Sequence, residues 1–199
     1  RYDYLAMADE IYSKEKVYLH FKISNKKLVT ITTQPFHVFS ERERWLKAVA
    51  SASKQVDTAF FIVKPHPAEN RSMHETICKQ YGGDNIVVCT DLGTNELMYA
   101  SDLMITSHST TGLESLILGT PVMTVNLTGM PDVIPYASSG VAVGIYKEED
   151  IAIGIKNILD GKLPPTMEEN IKKYIYDFAY LVDGKASELK ELLKYSVAT

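Results

Sequence analysis

The turn formed by residues 107–112, Ser-His-Ser-Thr-Thr-Gly, carries the side chains of this sequence that are best suited to bind a ligand. Its hydroxyl groups stand before residues 113–118, whose apolar spacing predicts a helix. The N-terminus of a helix offers backbone N–H groups and the positive end of a dipole, and both favour an anion. Ser and Thr are also ordinary N-caps, so a turn that binds only water is the alternative interpretation.

His66 is the second candidate, because it lies between Pro65 and Pro67 directly after an apolar run. The two prolines restrict the backbone and present the imidazole, which could donate to a phosphate oxygen or act as an acid or base. His66 is therefore the best candidate for a catalytic residue, against the alternative of a histidine packed in a turn. Lys64 could add a positive charge for a phosphate, or simply extend from the end of the strand to solvent.

Glu114 lies one turn into the helix that follows the hydroxyl-rich turn. A carboxylate there interacts favourably with the helix dipole, by about 0.3–1 kcal/mol, and the same position suits an acceptor for two ribose hydroxyls. The glycine patterns of dinucleotide-binding folds and P-loops do not occur in the sequence, and neither does the Gly-x-Ser-x-Gly of hydrolases. The histidines and cysteines lack metal-ligand spacing, so we expect no metal site.

The elements that position these residues alternate between strands and helices along the chain, with no hairpin signals. This alternation predicts an α/β fold: a Rossmann-like parallel sheet with helices on both faces. We predict strands at residues 27–33, 59–64, 85–89, 102–106 and 121–125, with a weak strand at 142–145. We predict helices at residues 2–20, 40–54 (capped by Ser40), 70–81, 95–100 (capped by Thr94), 113–118 (closed by Gly119), 148–159, 167–181 and 187–195.

Ligands of parallel α/β sheets bind outside the carboxyl ends of the strands. The polar clusters of this sequence all follow predicted strands: Thr33 and Gln34, residues 64–67, residues 91–93 around Leu92, and residues 107–112. This coincidence predicts one binding site along a single edge of the sheet.

Composition limits the classes of function. A net charge of −4 and a pI near 5.8 argue against a nucleic-acid partner. Cys78 and Cys89 form neither a CxxC motif nor a secreted framework, and we interpret them as reduced thiols of a cytoplasmic protein. No apolar run approaches the length of a membrane span. The chain starts at Arg1 without a methionine, and we expect it to be part of a longer protein.

Several short motifs in this order resemble the C-terminal half of GT-B-fold enzymes. The resemblance is greatest to UDP-N-acetylglucosamine 2-epimerase-like proteins and to surface-polysaccharide transferases, including capsule Kdo and sialic-acid transferases, and is weaker to CDP-glycerol glycerophosphotransferases. It covers the order of elements from residue 27 to residue 159. The motifs are residues 64–67 (Lys-Pro-His-Pro), 101–106 (Ser-Asp-Leu-Met-Ile-Thr), Ser109-Thr110, and Glu114 with Gly119 and Pro121.

The resemblance implies a nucleotide-donor site whose substrate is a UDP-, CDP- or CMP-linked sugar or alcohol, with no further cofactor. His66, Ser109 and Thr110 would contact the donor phosphates, Glu114 the ribose, and the loop of residues 91–93, with Leu92, the base. The site as a whole would also include Gln34, Lys64, Ser107, Thr111 and Gly112.

The resemblance further implies three regions and a partner domain. Residues 1–26 would form an interdomain linker helix, residues 27–163 the donor-binding domain, and residues 164–199 helices that pack back on the domain. Residues 1–3 resemble the segment that joins the two halves of such enzymes, and residues 183–187 the start of their last helix. The partner would be an N-terminal GT-B half, and peripheral membrane association of the full-length protein is compatible with this interpretation.

Two departures from the epimerase pattern favour a transferase. Residues 33–36 are Thr-Gln-Pro-Phe where such epimerases carry a His- and Arg-rich acidic loop, and residues 108–110 are His-Ser-Thr where they carry Ser-Gly-Gly. We therefore expect a transferase of cell-surface polysaccharide or glycolipid biosynthesis, inactive as this chain alone. A 2-epimerase-like sugar isomerase and a non-catalytic nucleotide-binding module are the alternatives.

Overall fold

The strands of the chain form one parallel sheet. A computed structural model describes residues 2–35 and 39–179. In these residues the sheet has six strands in the order β3-β2-β1-β4-β5-β6. The strands are β1 (Lys27–Thr32), β2 (Ala59–Lys64), β3 (Ile86–Val88), β4 (Leu103–Thr106), β5 (Val122–Val125) and β6 (Val143–Ile145).

The central strands are parallel and buried on both faces. β1 and β2 pair over their whole length, from Lys27 beside Ala59 to Thr32 beside Lys64. The apolar run of β2 suits a strand with helices on both faces, and Phe61, Ile62 and Val63 are fully buried. β1 pairs with β4 on its other side, also in parallel, so successive strands are added toward one side of the sheet before this pair and toward the opposite side after it.

Helices cover both faces of the sheet. Buried side chains of α3, α4 and α7 share one core cluster with Val29, Phe61 and Ile105. Those of α2, α5, α6 and α8 pack with the opposite face, around Leu28, Ile62 and Met104. The helices are α1 (Ala8–Ile11), α2 (Lys14–His20), α3 (Phe39–Ser53), α4 (Arg71–Tyr81), α5 (Thr94–Ala100), α6 (Thr111–Ile117), α7 (Ile151–Leu159) and α8 (Met167–Ala179).

The predicted fold class is confirmed, and each predicted strand is present within one residue of its expected bounds. The predicted role of Gly119 is also confirmed. Its φ is +78°, and its N–H and that of Thr120 bind the carbonyls of Leu116 and Ser115 at 3.1 and 2.9 Å, which closes α6 in a Schellman motif.

Several predicted helix starts are wrong. Residues 2–20 do not form one helix, because the hydroxyl of Ser13 accepts from the Lys16 amide at 3.3 Å and starts a new helix there. Ser40 lies inside α3, and Gly93 rather than Thr94 precedes α5. Residues 148–150 form a 3₁₀ turn ahead of α7. The helix predicted at residues 187–195, the end of the one at 167–181, Arg1 and residues 183–187 lie outside the described residues.

Candidate functional site

The candidate site lies where β1 and β4 meet, at their carboxyl ends. In open α/β sheets this switch point between neighbouring strands opens a crevice for ligands. The Thr33 amide donates to the Lys64 carbonyl at 3.2 Å, and the hydroxyls of Thr32 and Thr111 lie 3.0 Å apart. These contacts bring the ends of β1 and β2 and the start of α6 to one edge of the sheet, as the sequence predicts.

Gln34 lies at the centre of this edge and is only 8% exposed. The Thr106 hydroxyl donates to its Oε1 at 3.4 Å, while its Nε2 has no hydrogen-bond partner among the described residues. Leaving a buried amide donor unpaired costs about 1–3 kcal/mol, so such a group calls for a partner. Gln34 thus carries a buried, unpaired donor at the carboxyl end of β1.

His66 is exposed, and its ring is oriented by its own turn. The Ala68 amide donates to His66 Nδ1 at 3.1 Å. A nitrogen that accepts a hydrogen bond carries no proton, so this geometry assigns the proton of the neutral ring to Nε2. The imidazole thus presents an N–H donor, which suits a phosphate oxygen, and in this tautomer Nε2 is not a base.

A buried carboxylate lies under the His66 turn. The Glu69 side chain is 0% exposed, accepts from the Thr33 hydroxyl and from the His66 amide at 3.1 Å, and lies 3.6 Å from His74 Nε2. Arg42 approaches its other oxygen at 3.5 Å. Burial alone raises the pKa of this carboxyl, but the hydrogen bonds from His74, Thr33 and the His66 amide hold the pKa below its ordinary value.

Lys64 extends along the edge of the sheet to the loop that follows β3. Its Nζ donates to the carbonyl of Leu92 at 2.5 Å and to that of Thr90 at 3.3 Å. The ammonium thus connects the end of β2 to the loop predicted to contact a base. This arrangement places Lys64 and Leu92 together, with the lysine contacting backbone carbonyls.

Hydrogen bonds of Ser109 and Tyr136 hold the turn of residues 107–112. Ser109 accepts from the Thr111 amide through its hydroxyl at 3.2 Å and from the Gly112 amide through its carbonyl at 3.1 Å. The Tyr136 hydroxyl donates to the same carbonyl and accepts from the Leu113 amide, both at 3.0 Å. The first amides of α6 are therefore already bonded, and the turn offers its hydroxyl groups, including that of the exposed Thr110, rather than those amides.

A cleft of about 300 Å³ opens beside this turn, between the ends of β4 and β5 and the first turn of α3. Of the predicted site residues, only Ser107 lines it. Asp132 forms part of its wall, accepting from Asn126 and from the Tyr146 hydroxyl, both at 2.8 Å. The cleft is lined by Glu41, Ser107, His108, Asn126, Thr128, Met130, Pro131, Asp132 and Val133.

Sequence reasoning missed Glu69, His74, Tyr136 and Asp132. A partial signal exists for Glu69, because it follows His66 by three residues in a turn that two prolines begin. The other residues show no local pattern. Within the described part of the chain, no group of three or more His, Cys, Asp or Glu residues is placed to hold a metal, and no helix has the length and apolar character needed to cross a bilayer.

The family of the chain follows from a comparison of its sequence with family models. The model described as "Capsule polysaccharide biosynthesis protein" matches residues 31–130, which is half of the 199 residues. The chain belongs to this capsule polysaccharide biosynthesis family. The matched region runs from β1 past β5 and contains the His66 turn, Glu69 and residues 107–112. No curated protein sequence matches the chain.

Solved structures agree with this family and show the fold. The wall teichoic acid polymerase TagF (H444N variant) has a TM-score of 0.70 at 18% identity, covering 98% of this chain and 50% of that structure. UDP-GlcNAc 2-epimerase from Neisseria meningitidis, bound to UDP-GlcNAc, has a TM-score of 0.63 at 17% identity, covering 97% and 52%. WaaG, a glycosyltransferase involved in lipopolysaccharide biosynthesis, has a TM-score of 0.56 at 18% identity, covering 88% and 50%.

These similarities show that the parallel sheet of this chain has the fold of the Rossmann-like half of a GT-B enzyme. The chain spans about half the length of each of the three structures. The resemblance to GT-B surface-polysaccharide enzymes is confirmed at the level of the fold.

Proposed function

We propose that this chain is the nucleotide-donor-binding half of a transferase in cell-surface polysaccharide or glycolipid biosynthesis. One observation carries the proposal: hydrogen-bond donors follow three neighbouring strands, β1, β2 and β4, at the carboxyl edge of the sheet. They are the Gln34 amide nitrogen, the His66 Nε2–H and the hydroxyls of residues 107–111. Such N–H and O–H donors suit the oxygens of a phosphate or diphosphate.

In this proposal the donors act on the leaving group. As the bond between the transferred group and its phosphate breaks, negative charge grows on the departing nucleoside mono- or diphosphate. Fixed N–H and O–H groups stabilise that charge without reorganising, and no metal ion is required for this contribution. Because His66 is a donor in the tautomer that its Ala68 contact assigns, the base that activates the acceptor belongs elsewhere, and we place it on an N-terminal GT-B half.

The remaining predicted residues take the nucleoside. Glu114 would accept from the two ribose hydroxyls, and the loop around Leu92 would lie against the base, held in place by Lys64. The donor would be UDP-, CDP- or CMP-linked. The full-length protein would act in the cytoplasm, at the membrane surface where polysaccharide acceptors are assembled.

Calorimetric titration of the chain with CDP, UDP and CMP, and with their sugar or glycerol conjugates, tests this proposal. We expect one nucleotide to bind and His66→Ala and Glu114→Ala to weaken it about tenfold or more, the effect of losing a charge-assisted hydrogen bond. Glu168→Ala is the matched control, because Glu168 lies in the first turn of α8 as Glu114 does in α6. If no nucleotide binds, or if Glu114→Ala and Glu168→Ala behave alike, the donor-site proposal is wrong.

The fold likeness to the Neisseria UDP-GlcNAc 2-epimerase favours one alternative, a sugar 2-epimerase. Incubating the full-length protein with UDP-GlcNAc and following the configuration at C2 separates the two. Inversion at C2 without an acceptor would replace the transferase proposal, whereas transfer to an acceptor would exclude the epimerase. Nucleotide binding with neither reaction would leave a non-catalytic binding module.

A further inference from the structure

The His66 turn is braced by a single residue on both sides of its backbone. The amide of His66 donates to the Glu69 carboxylate at 3.1 Å, and the carbonyl of His66 accepts from the Glu69 amide at 2.8 Å. We propose that Glu69, acting with Thr33 and His74, is the positioning residue that aims the His66 Nε2–H at the ligand. The test of this role by nucleotide affinity rests on the donor site proposed above, whereas the test by amide exchange at Ala68 does not.

The hydrogen bonds around Thr33 show how the cluster is connected. An ionised Glu69 only accepts, so the Thr33 hydroxyl donates its proton to Glu69. The Thr33 oxygen then accepts from the His66 amide at 3.2 Å and lies 3.2 Å from His74 Nε2. The other ring nitrogen of His74 lies 2.9 Å from the Asn70 carbonyl and donates to it. Both ring nitrogens of His74 are therefore in contact with this cluster or its own helix, and Nε2 lies 3.6 Å from the carboxylate.

A turn with proline on both sides of His66 does not need a buried ion cluster to form. Burying a carboxylate is expensive unless it is paired and hydrogen-bonded, and an apolar filling of the same volume is often equally stable. In this cluster the buried charge is directed at the backbone of an exposed residue. The geometry is that of an orienting partner behind a functional imidazole, a role seen for the groups that hold metal-binding histidines.

The path from Glu69 to the ring passes through the turn itself. Glu69 fixes the N–H and C=O groups of His66. The Ala68 amide then lies 3.1 Å from Nδ1 and orients the ring by donating to that nitrogen. When the carboxylate is lost, the turn loosens, the Ala68 contact opens and Nε2 is no longer aimed. Thr33 directly follows β1, so the brace connects the His66 turn to the end of the neighbouring strand.

The first test needs no ligand. In Glu69→Gln and Thr33→Val, amide exchange at Ala68 should accelerate about tenfold or more, because a local contact opens without global unfolding. The imidazole NMR signals of His66 should shift with it. Thr33→Ser keeps the hydroxyl and should restore the wild-type exchange. Glu75→Gln removes an exposed carboxylate of α4 and should change nothing. Unchanged Ala68 exchange in both folded variants would overturn the positioning role, whatever the chain binds.

The second test is a double-mutant cycle on nucleotide affinity. Glu69→Gln alone should weaken binding about 10- to 100-fold, the usual cost of losing an orienting partner. In a His66→Ala background the same substitution should have little further effect, since Glu69 acts through His66. Additive losses would overturn the proposal and make Glu69 merely structural. If no nucleotide binds at all, the donor-site proposal fails, and the Ala68 exchange still decides the role of Glu69.

Discussion

Two carboxylates anchor opposite edges of the same sheet, Glu69 at the carboxyl edge and Asp102 at the amino edge. Asp102 precedes β4 and accepts from the Leu28 amide at 2.8 Å and from the Tyr18 hydroxyl at 3.0 Å. Lys14 and Lys27 reach its other oxygen at 3.1 and 3.5 Å. Burial raises the pKa of Asp102, but the Leu28 amide and Lys14 outweigh that effect and lower the pKa overall.

The two acids differ in what they hold. The partners of Asp102 all belong to residues 14–28, so this carboxylate fastens α2 and the start of β1 to the sheet. Glu69 is wholly buried and fixes the backbone of one exposed histidine. The comparison teaches that similar networks of hydrogen bonds fasten helix to strand at one edge and support the proposed ligand site at the other. What distinguishes the two carboxylates is which part of the chain their hydrogen-bond partners belong to, because both are acids held by several donors.

The largest expected effect is on stability at the carboxyl edge. Glu69→Ala removes the carboxylate that faces the buried His74 and Arg42, and breaking such a cluster from one side costs about 3–5 kcal/mol. Urea denaturation should show this loss in the free energy of unfolding. The exposed Glu75→Ala should stay within about 0.5 kcal/mol of the wild type. A loss for Glu69→Ala as small as that of Glu75→Ala would mean that the cluster is not a coupled unit.

The amino edge should show a stability effect without a binding effect. Asp102→Ala leaves the Leu28 amide without its acceptor and should cost about 1–3 kcal/mol. Nucleotide affinity should stay within about twofold of the wild type, since the two edges share no partners. Calorimetry on the folded variant gives the affinity. A drop in affinity comparable to that of Glu69→Gln would contradict the separation of the two edges.

Acid should weaken both networks in the same direction. Each carboxyl has a folded-state pKa below its unfolded value, so its contribution is fully present above about pH 5 and is lost as the pH falls through the folded pKa. Denaturation curves between about pH 7 and pH 3 should therefore show less acid destabilisation in Asp102→Asn than in the wild type. Parallel curves for the two proteins would mean that Asp102 titrates normally in the folded chain.

The smallest effect is expected for substitution of a lysine, and one lysine from each edge of the sheet can be compared. Lys64→Met removes the bonds to the carbonyls of Leu92 and Thr90 and should cost about 1 kcal/mol. It should also speed amide exchange in residues 90–93 and weaken nucleotide binding. Lys27→Met, which removes an exposed contact to Asp102, should cost well under 1 kcal/mol. Equal effects of the two lysines on that loop would show that Lys64 does not hold it.

The strands and the fold class were predictable because their signals are local. Residues 59–63 are apolar throughout, which is typical of a strand buried on both faces, and helical spacing alternates with such runs along the chain. Helix starts were less predictable. Ser40 and Thr94 have the side chains of N-caps, but each lies one or more residues inside its helix. A cap residue is selected by the backbone geometry that precedes the helix, and residue type indicates this only to within a residue or two.

The candidate site was predictable in part. Parallel strands put their carboxyl ends at one edge, so the positions of Gln34, His66 and residues 107–112 followed from the order of elements alone. The roles of neighbouring residues did not follow from that order. Lys64 contacts backbone carbonyls of the loop after β3, and the amides at the start of α6 are bonded within their own turn. Both depend on the exact path of a loop, which the spacing of residue types does not specify.

The sequence by itself determined a parallel α/β sheet and a polar edge with a histidine between two prolines. These properties follow from periodicity and from the conformational limits of proline, which act over a few residues. Only the tertiary structure decided that Glu69 is buried. Its partner Thr33 directly follows β1 and its partner His74 lies in α4, and Thr33 is 36 residues away along the chain. A carboxylate in a loop is normally solvated. Glu69 supports the His66 turn only because packing brings these donors around it.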